Sequence, residues 1–268
     1  SSSEEEILSD TDYLCMLTQG AENPPYMVID DGWQEHHRLD DYNGGPWRYG
    51  NQKFPDMKGL ADKLTLKGVR PGLWVRLLQN EDESIPVTWR LPLNQCLDPS
   101  HPDALEYIKQ DIKRICTWGY TLIKHDFSTY DLFGRWGFEM NPLVTESGWH
   151  FYNRSMTSAE VVKTLYQAIY DASKPYNALI LGCNTIGHLG AGRMHLSRTG
   201  DDTSGLTWDR TRRMGVNTLA FRLPQHNAFF AVDADCVGIA GNIPWKFNRQ
   251  WADVLAESGT PLFISARP

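Results

Sequence analysis

Residues 102–127 have the sequence PDALEYIKQDIKRICTWGYTLIKHDF. Its first part, Pro102–Thr117, has apolar residues at helical spacing, and it follows a start signal in which a capping Ser100 precedes a proline and an acid. Its second part, Tyr120–Asp126, is a short apolar run that ends in polar residues, as expected for a strand buried on both faces. The segment therefore predicts a helix that leads directly into a buried strand.

The same alternation extends along the whole chain. Further strand candidates are Tyr26–Asp30, Val69–Val75, Ala178–Cys183, Met194–Arg198, Phe229–Asp233 and Leu262–Ser265. Helix candidates are Glu4–Thr18, Met57–Lys67, Ser158–Ala172, Thr207–Phe221 and Asn248–Glu257. Such alternation indicates parallel strands with crossover helices, in a barrel or a doubly wound sheet. No GxGxxG or P-loop motif follows a strand, which weakens a nucleotide-binding interpretation.

The order of the elements favours a barrel. A helix comes first, opened by a capping box at Ser3 and Glu6, and seven predicted strands follow. This is the pattern of a (β/α)8 TIM barrel that lacks strand 1. We therefore expect residues 1–268 to form one catalytic-type barrel domain, a fragment of a larger protein.

Composition excludes several classes of protein. The chain of 268 residues is 41% apolar and 22% charged, which is ordinary for a globular domain. With 26 Lys and Arg against 33 Asp and Glu, it has a formal charge of −7 and no basic cluster, so nucleic acid is not expected as a partner. No apolar run approaches the ~20 residues of a membrane span. Five cysteines without CxxC spacing indicate neither a disulfide framework nor a zinc site.

Two connections are too long to be simple crossovers. Gln34–Pro55 and Phe127–Thr157 both follow strand ends and contain Trp and Gly. Long loops in compact domains are usually lids or binding walls. In a barrel they lie at the carboxyl face, where active sites are built.

Polar side chains follow the ends of several predicted strands. They are Asp30 and Asp31, Lys124 and Asp126, Cys183 and Asn184, Arg198 with Asp201 and Asp202, and Asp233 with Asp235. One such aspartate means little, because aspartate commonly ends strands and caps helices. Several acids at one end of successive strands would carry a desolvation and repulsion cost unless a function used them. The pattern predicts an acidic pocket.

Strand periodicity predicts which way the side chains point at the second of these strand ends. Lys124 and Asp126 lie two positions apart and point the same way, whereas His125 points to the opposite face. We expect the Lys124 ammonium to keep Asp126 ionised and His125 to be structural. The alternative for Lys124 and Asp126 is a buried ion pair without a function.

Several motifs together resemble the melibiase (α-galactosidase) clan of retaining glycoside hydrolases. The stretches are 26–33 (YMVIDDGW), 54–61 (FPDMKGLA), 67–74 (KGVRPGLW), 118–127 (WGYTLIKHDF) and 198–202 (RTGDD). The similarity runs from about Glu4 to the last strand, and the combination is specific although each piece alone is weak. It implies a catalytic barrel with β-sandwich domains elsewhere in the protein, and an α-galactoside oligosaccharide or glycan as substrate.

The resemblance also implies a sugar-binding set. Asp30 and Asp31 would accept hydrogen bonds from the 4- and 6-hydroxyls of galactose, and Lys124 would donate to O3 and O4. The remaining implied substrate-binding residues are Trp33 beside the sugar, Cys183 along the ring edge, Trp74, Asn184, Arg198 and Asp201.

Two carboxyl groups carry the implied double displacement. Asp126 would attack the anomeric carbon, and Asp202 would protonate the leaving oxygen and then activate water, without a metal or an organic cofactor. A partly desolvated Asp202 beside another acid should hold its proton. Counting four residues on from Arg198 selects Asp202, whereas a match without a gap to a Ser-Asp-Asn-Thr variant selects Asp201.

The sequence departs from the clan at two places. Arg76 stands where many relatives have Glu-Pro, and 183–188 (CNTIGH) lacks the glycine-rich run of some relatives. Because of both departures, the resemblance does not decide which sugar is the substrate. An α-N-acetylgalactosaminide or a β-L-arabinopyranoside is an alternative substrate, and a non-catalytic carbohydrate-binding barrel is an alternative function.

Other polar residues have simpler explanations. His36 and His37 diverge and lack a third ligand, so we do not expect a metal site. Asp56 and Asp103 lie at helix starts and are expected to be caps. Asp233 and Asp235 are expected in the pocket wall. A periplasmic or secreted location is favoured over a cytoplasmic one.

Overall fold

The computed structural model describes residues 2–39, 42–92, 94–135, 141–145, 148–203, 205–239 and 241–266. The chain divides into two compact units, Ser1–Leu189 and Gly190–Pro268.

The first unit is built on four parallel strands that pair in chain order. They are β1 (Tyr26–Ile29), β2 (Arg70–Val75), β3 (Leu122–His125) and β4 (Leu179–Gly182). Each lies within a predicted strand, and the register aligns Leu73 with Ile123 and Ile123 with Ile180. Strands β2, β3 and β4 are mostly buried, which explains why the sequence shows continuous apolar runs there, whereas three of the four residues of β1 are only partly buried.

Helices connect these strands, as parallel pairing requires. They are α1 (Glu4–Leu17), α2 (Met57–Leu66), α3 (Pro102–Thr117), α4 (Ser128–Phe133) and α5 (Ser158–Ser173), with short 3-10 helices at Val87–Trp89, Pro142–Thr145 and Lys174–Tyr176. The capping box of Ser3 and Glu6 is confirmed at the start of α1. Asp56 caps α2 as predicted, by accepting a hydrogen bond from the Gly59 amide at 2.8 Å. A single helical turn, α6 (Gly187–Gly190), follows β4.

The second unit contains two parallel strand pairs. Strand β5 (Leu196–Arg198) pairs with β6 (Ala231–Asp233), and β7 (Cys236–Ile239) pairs with β8 (Phe263–Ala266). Its other elements are α7 (Trp208–Thr211), a π-helix at Arg212–Asn217, α8 (Thr218–Arg222), a 3-10 helix at Leu223–Gln225 and α9 (Trp245–Ser258). Its core consists of Leu219, Phe230, Val232, Ala234, Val237, Trp251 and Leu255.

Three details differ from the predictions. Cys236–Ile239 is a strand that the sequence analysis missed, because it follows β6 after only two residues and has no helix-length segment before it. The described residues thus form eight strands. The N-cap of α3 is His101 rather than Ser100, with its Nδ1 accepting from the Asp103 amide, so Asp103 lies in the first turn and is not the cap.

The predicted helix Thr207–Phe221 is present but contains the π-helical turn. Gly215 lies in that turn against the indole of Trp251, and a Cβ atom at this position would come within 2.7 Å of the ring. Close packing on a large buried ring therefore requires glycine here.

The two long connections differ in how far they can be described. Gln34–Pro55 is fastened to the segment after β2, where the Gly45 amide donates to the Gln79 carbonyl at 2.8 Å and Arg38 pairs with Glu81. Phe127–Thr157 begins with α4, and residues 136–140 and 146–147 lie outside the described part. No helix among the described residues is long and apolar enough to cross a membrane.

Candidate active site

Asp126 follows β3 directly and is half-buried. Its Oδ2 accepts a hydrogen bond from Trp74 Nε1 at 3.0 Å, and its Oδ1 accepts one from the Phe127 amide at 2.6 Å and a second from Asn184 Nδ2. Three N–H donors from three chain segments thus fix the plane of one carboxyl group. A group fixed in this way can present a free lone pair in one defined direction.

The backbone around this carboxyl group is unusual. Phe127 and Asn184 both adopt left-handed conformations, with φ of 63° and 50°. Residues other than glycine rarely do so, and such conformations cluster at functional sites. The Asn184 carbonyl is held by the Thr129 amide and hydroxyl at 3.2 and 2.7 Å, which fixes the residue that donates to Asp126.

His125 lies on the opposite face, as strand alternation predicted. Its ring is buried, and it lies 5.8 Å from the ring of Tyr166. Burial lowers the pKa of His125 to about 4, so the ring is neutral near pH 7. The expectation that His125 is structural agrees with this position.

The buried His125 makes stability depend on pH. In the unfolded chain its pKa returns to about 6.5, so the unfolded state binds this proton at a higher pH than the folded state. The stability is therefore fully present above about pH 6.5 and is lost as the pH falls towards about 4. We expect this one group to lower the free energy of unfolding by about 3 kcal/mol over that window. Urea titrations of the wild type and of His125→Leu between about pH 7 and about pH 4 test this, and parallel pH slopes would contradict it.

Lys124, in β3, and Asp30, directly after β1, form an ion pair. Lys124 Nζ lies 3.0 Å from Asp30 Oδ2, and the Asp30 side chain is 64% exposed. The described partner of the ammonium is therefore Asp30, whereas the sequence analysis expected Asp126. An exposed acceptor next to a donor suits hydroxyl groups, which need both.

Asp31 lies more deeply than Asp30. Gln34 Nε2 donates to its Oδ1 at 2.8 Å, and His37 Nδ1 lies 3.6 Å from the same oxygen. Burial raises the pKa of Asp31, and the bond from Gln34 and the neighbouring His37 partly offset that effect. His37 is itself largely buried, contrary to the expectation for a loop histidine.

Three implied sugar-contacting residues are buried. Trp33 has 0% of its surface exposed, and its Nε1 donates to the Trp74 carbonyl at 2.8 Å. It therefore packs in the core, and its implied contact with a sugar does not fit this position. Trp74 and Cys183 are also buried, at 2% and 3% exposure. Trp74 nevertheless reaches the site through its bond to Asp126.

In the second unit, Arg198 binds three carboxyl groups. Its guanidinium is 3.0 Å from Asp202 Oδ1, 3.2 Å from Asp233 Oδ2 and 2.8 Å from Asp235 Oδ1. Asp233 and Asp235 are buried, and Asp235 also accepts from the Thr203 amide at 2.7 Å. Arg198 thus holds the Asp202 carboxylate.

The neighbouring acids of this segment point to different partners. Asp201 pairs with Arg210 at 3.0 Å, whereas Asp202 pairs with Arg198. Both side chains are more than 60% exposed. The expected desolvation of Asp202 is therefore wrong, because the turn that carries it projects into solvent and gives it an arginine partner. Among the described residues, no three Cys, His, Asp or Glu side chains form a metal-type cluster.

Comparison with known proteins adds evidence of the fold. No protein-family model matches the sequence, and no curated protein matches it. The α-galactosidase of Thermus thermophilus, solved with p-nitrophenyl α-D-galactopyranoside, is similar with a TM-score of 0.64 and 18% identity, over 100% of this chain and 55% of its own. The chain shares the fold of the α-galactosidases.

Two further structures agree. The α-galactosidase of Saccharomyces cerevisiae has a TM-score of 0.61 at 17% identity, over 98% of this chain and 55% of its own. A β-L-arabinopyranosidase of Geobacillus stearothermophilus has a TM-score of 0.66 at 15% identity, over 99% and 68%. The chain thus spans about half the length of the α-galactosidases it matches. The resemblance to this clan is confirmed at the level of the fold.

Proposed function

We propose that this chain is the catalytic (β/α)8 barrel of a retaining α-galactosidase, which removes terminal α-D-galactosyl residues from oligosaccharides. The observation that carries the proposal is the Asp126 carboxyl group, held by three N–H donors at the end of a parallel strand. Active sites of parallel α/β barrels lie at this end of the strands. The similarity in fold to α-galactosidases supports the choice of chemistry.

The Lys124–Asp30 pair supports a sugar as the substrate. A galactosyl ring presents adjacent hydroxyl groups, each of which donates one hydrogen bond and has two lone pairs that can accept. In the proposal, Asp30 and Asp31 accept from the 4- and 6-hydroxyls, and Lys124 donates to O3 and O4. The ion pair keeps the ammonium and the Asp30 carboxylate 3.0 Å apart, so both can act on neighbouring hydroxyls without rearrangement.

The proposed reaction has two displacements. An Asp126 oxygen forms a bond to the anomeric carbon while the glycosidic C–O bond breaks, and Asp202 gives its proton to the leaving oxygen. Asp202 then takes a proton from water, the water oxygen attacks the anomeric carbon, and the ester bond to Asp126 breaks. Two inversions at one carbon give net retention.

The choice of Asp202 over Asp201 has support in the ion pairs. Asp202 pairs with Arg198, a buried arginine at the end of β5, whereas Asp201 pairs with Arg210 on α7. An acid/base group must return to one position in both steps. A buried, multiply bonded arginine is the better anchor for that, because its own position is fixed by Asp233 and Asp235.

A panel of nitrophenyl glycosides tests the proposed function on the full-length protein. We expect the α-D-galactoside to have the highest kcat/KM, with the β-L-arabinopyranoside about 10- to 100-fold lower, because it lacks the 6-hydroxymethyl group and loses a bond to a carboxylate. The first sugar released should be the α-anomer by NMR. A higher kcat/KM on the arabinopyranoside or on the α-N-acetylgalactosaminide would mean that this sugar, and not galactose, is the substrate. Binding of a glycoside without hydrolysis would indicate a carbohydrate-binding barrel.

A further inference from the structure

Arg76 follows β2 directly, at a position where the sequence departs from the clan it resembles. Its guanidinium makes a forked contact with Asp131, with Nη2 2.6 Å from Oδ1 and Nε 3.1 Å from both oxygens. Nη1 donates to Asn43 Oδ1 in the long loop after β1. The Asp131 side chain is fully buried and that of Arg76 is 11% exposed. Three chain segments therefore meet at one buried ion pair.

The same guanidinium lies over an aromatic ring next to the proposed nucleophile. Arg76 Cζ is 4.1 Å from the centroid of the Phe127 ring. Phe127 has the left-handed backbone described above, which costs about 1–3 kcal/mol and persists only where the surroundings enforce it. Its amide donates to Asp126 Oδ1 in that conformation. The guanidinium over the ring is thus part of what holds this amide towards the carboxyl group.

A second path leads to the other oxygen of Asp126. The Phe127 ring makes an edge contact with Trp74, with centroids 6.3 Å apart. The indole of Trp74 donates to Asp126 Oδ2. The Phe127 amide is therefore the donor to Oδ1, and the Phe127 ring contacts the donor to Oδ2. Arg76 in turn contacts the Phe127 ring.

We propose that Arg76 and Asp131 form a positioning pair that fixes the Asp126 carboxylate for attack. Neither residue touches the reacting atoms, and both act through Phe127 and Trp74. The inference rests on the proposed function, because it gives the orientation of Asp126 a role in the reaction.

Stability alone explains the pair poorly. Replacing a buried ion pair by apolar residues of similar volume is often neutral or stabilising, whereas removing one partner strands a charge and destabilises. What apolar residues cannot reproduce is the planar fork that bonds to Asp131 and Asn43 while its Cζ lies over the Phe127 ring. Orientation is therefore the property that the pair adds.

The double variant Arg76→Met with Asp131→Leu tests this. We expect it to fold with an unchanged melting temperature while kcat on the nitrophenyl α-galactoside falls about 10²-fold, the scale of a small misplacement of a reacting group. KM should change little, because Asp30 and Lys124 are untouched. Covalent labelling of Asp126 by a 2-fluoro galactosyl substrate should slow in parallel, which a purely structural role would not produce in a folded protein.

A more exposed pair that joins the long loop after β1 to the segment after β2 serves as a control. Arg38 forms a forked pair with Glu81, at 3.0 and 2.8 Å, and lies 4.9 Å from the Tyr42 ring centroid. The double variant Arg38→Met with Glu81→Leu should keep wild-type kcat. Equal losses in both double variants would overturn the proposal.

Arg76→Lys decides the matter if the apolar double variant unfolds. Lysine keeps the charge beside Asp131 but loses the fork and the guanidinium contact with the Phe127 ring, so we expect a folded protein with lower kcat and unchanged KM. Unchanged kcat in Arg76→Lys, or in a folded double variant, overturns the positioning role of the pair but leaves the proposed function standing. A wild-type protein that hydrolyses no glycoside overturns the proposed function, and this inference with it.

Discussion

Asp126→Ala abolishes galactoside hydrolysis and leaves the protein folded, if the proposed chemistry is correct. The variant has no carboxylate to form the bond to the anomeric carbon, so kcat should fall by about 10⁴-fold or more, the scale seen when a reacting group is removed. Folding should persist because Asp126 is only half-buried, and its three former donors can bond to water. Steady-state kinetics with thermal melts measure both effects.

A control and a chemical trap make this result specific. Asp62→Ala removes an exposed aspartate on α2 that pairs with Lys58, and it should keep full activity. In the wild type, a 2-fluoro galactosyl substrate should add the sugar mass to the peptide that contains Asp126. Labelling of a different acid, or direct release of inverted sugar, would rule out the two-step role of Asp126.

Asp202→Ala should impair hydrolysis in proportion to how poor the leaving group is. General acid catalysis contributes about 10²- to 10⁴-fold, so natural oligosaccharides should lose activity on this scale while dinitrophenyl galactosides lose far less. Azide should restore turnover with the activated substrate and give a galactosyl azide of retained configuration, because an anionic nucleophile needs no general base.

Asp201→Ala is the matched control for this result, since it removes the same group one residue away. Its carboxylate pairs with Arg210, and we expect no dependence on the leaving group. If Asp201→Ala shows that dependence and responds to azide, the acid/base role belongs to Asp201. Loss of activity in both variants on every substrate would indicate that the segment has a structural role.

Local patterns in the sequence predicted most of the fold. Seven strands and six helices were found because apolar periodicity and capping residues are encoded within a few positions, as at Ser3 and Asp56. Strand alternation also placed His125 on the face opposite to Lys124 and Asp126. Strand β7 was missed because a strand that follows another after two residues carries no separate periodic signal.

The contacts within the site could not be predicted in the same way. Alternation showed that Lys124 and Asp126 share a face, but the choice of Asp30 as the partner of Lys124 depends on how β1 lies against its neighbours. The motif that contains Trp33 suggested a sugar contact, yet the loop from Gln34 folds so that the indole is wholly covered. Arg76 bonds to Asn43 and Asp131, which lie 33 and 55 positions away from it in the sequence, so only the tertiary structure shows these contacts.

The left-handed residues at the strand ends have a consequence for engineering. A routine search for thermostabilising changes selects non-glycine residues with positive φ, and Phe127, Asn184 and Asp235 would be among the first sites replaced by glycine. Each replacement would relax the main chain by about 1 kcal/mol or more. At Asn184 it would also delete an amide that donates to Asp126, and at Asp235 a carboxylate that anchors Arg198. At Asp235 the gain in the main chain is opposed by the loss of a buried partner of Arg198, so we expect no net heat resistance there. Glycine at these positions should therefore be judged by turnover as well as by melting temperature.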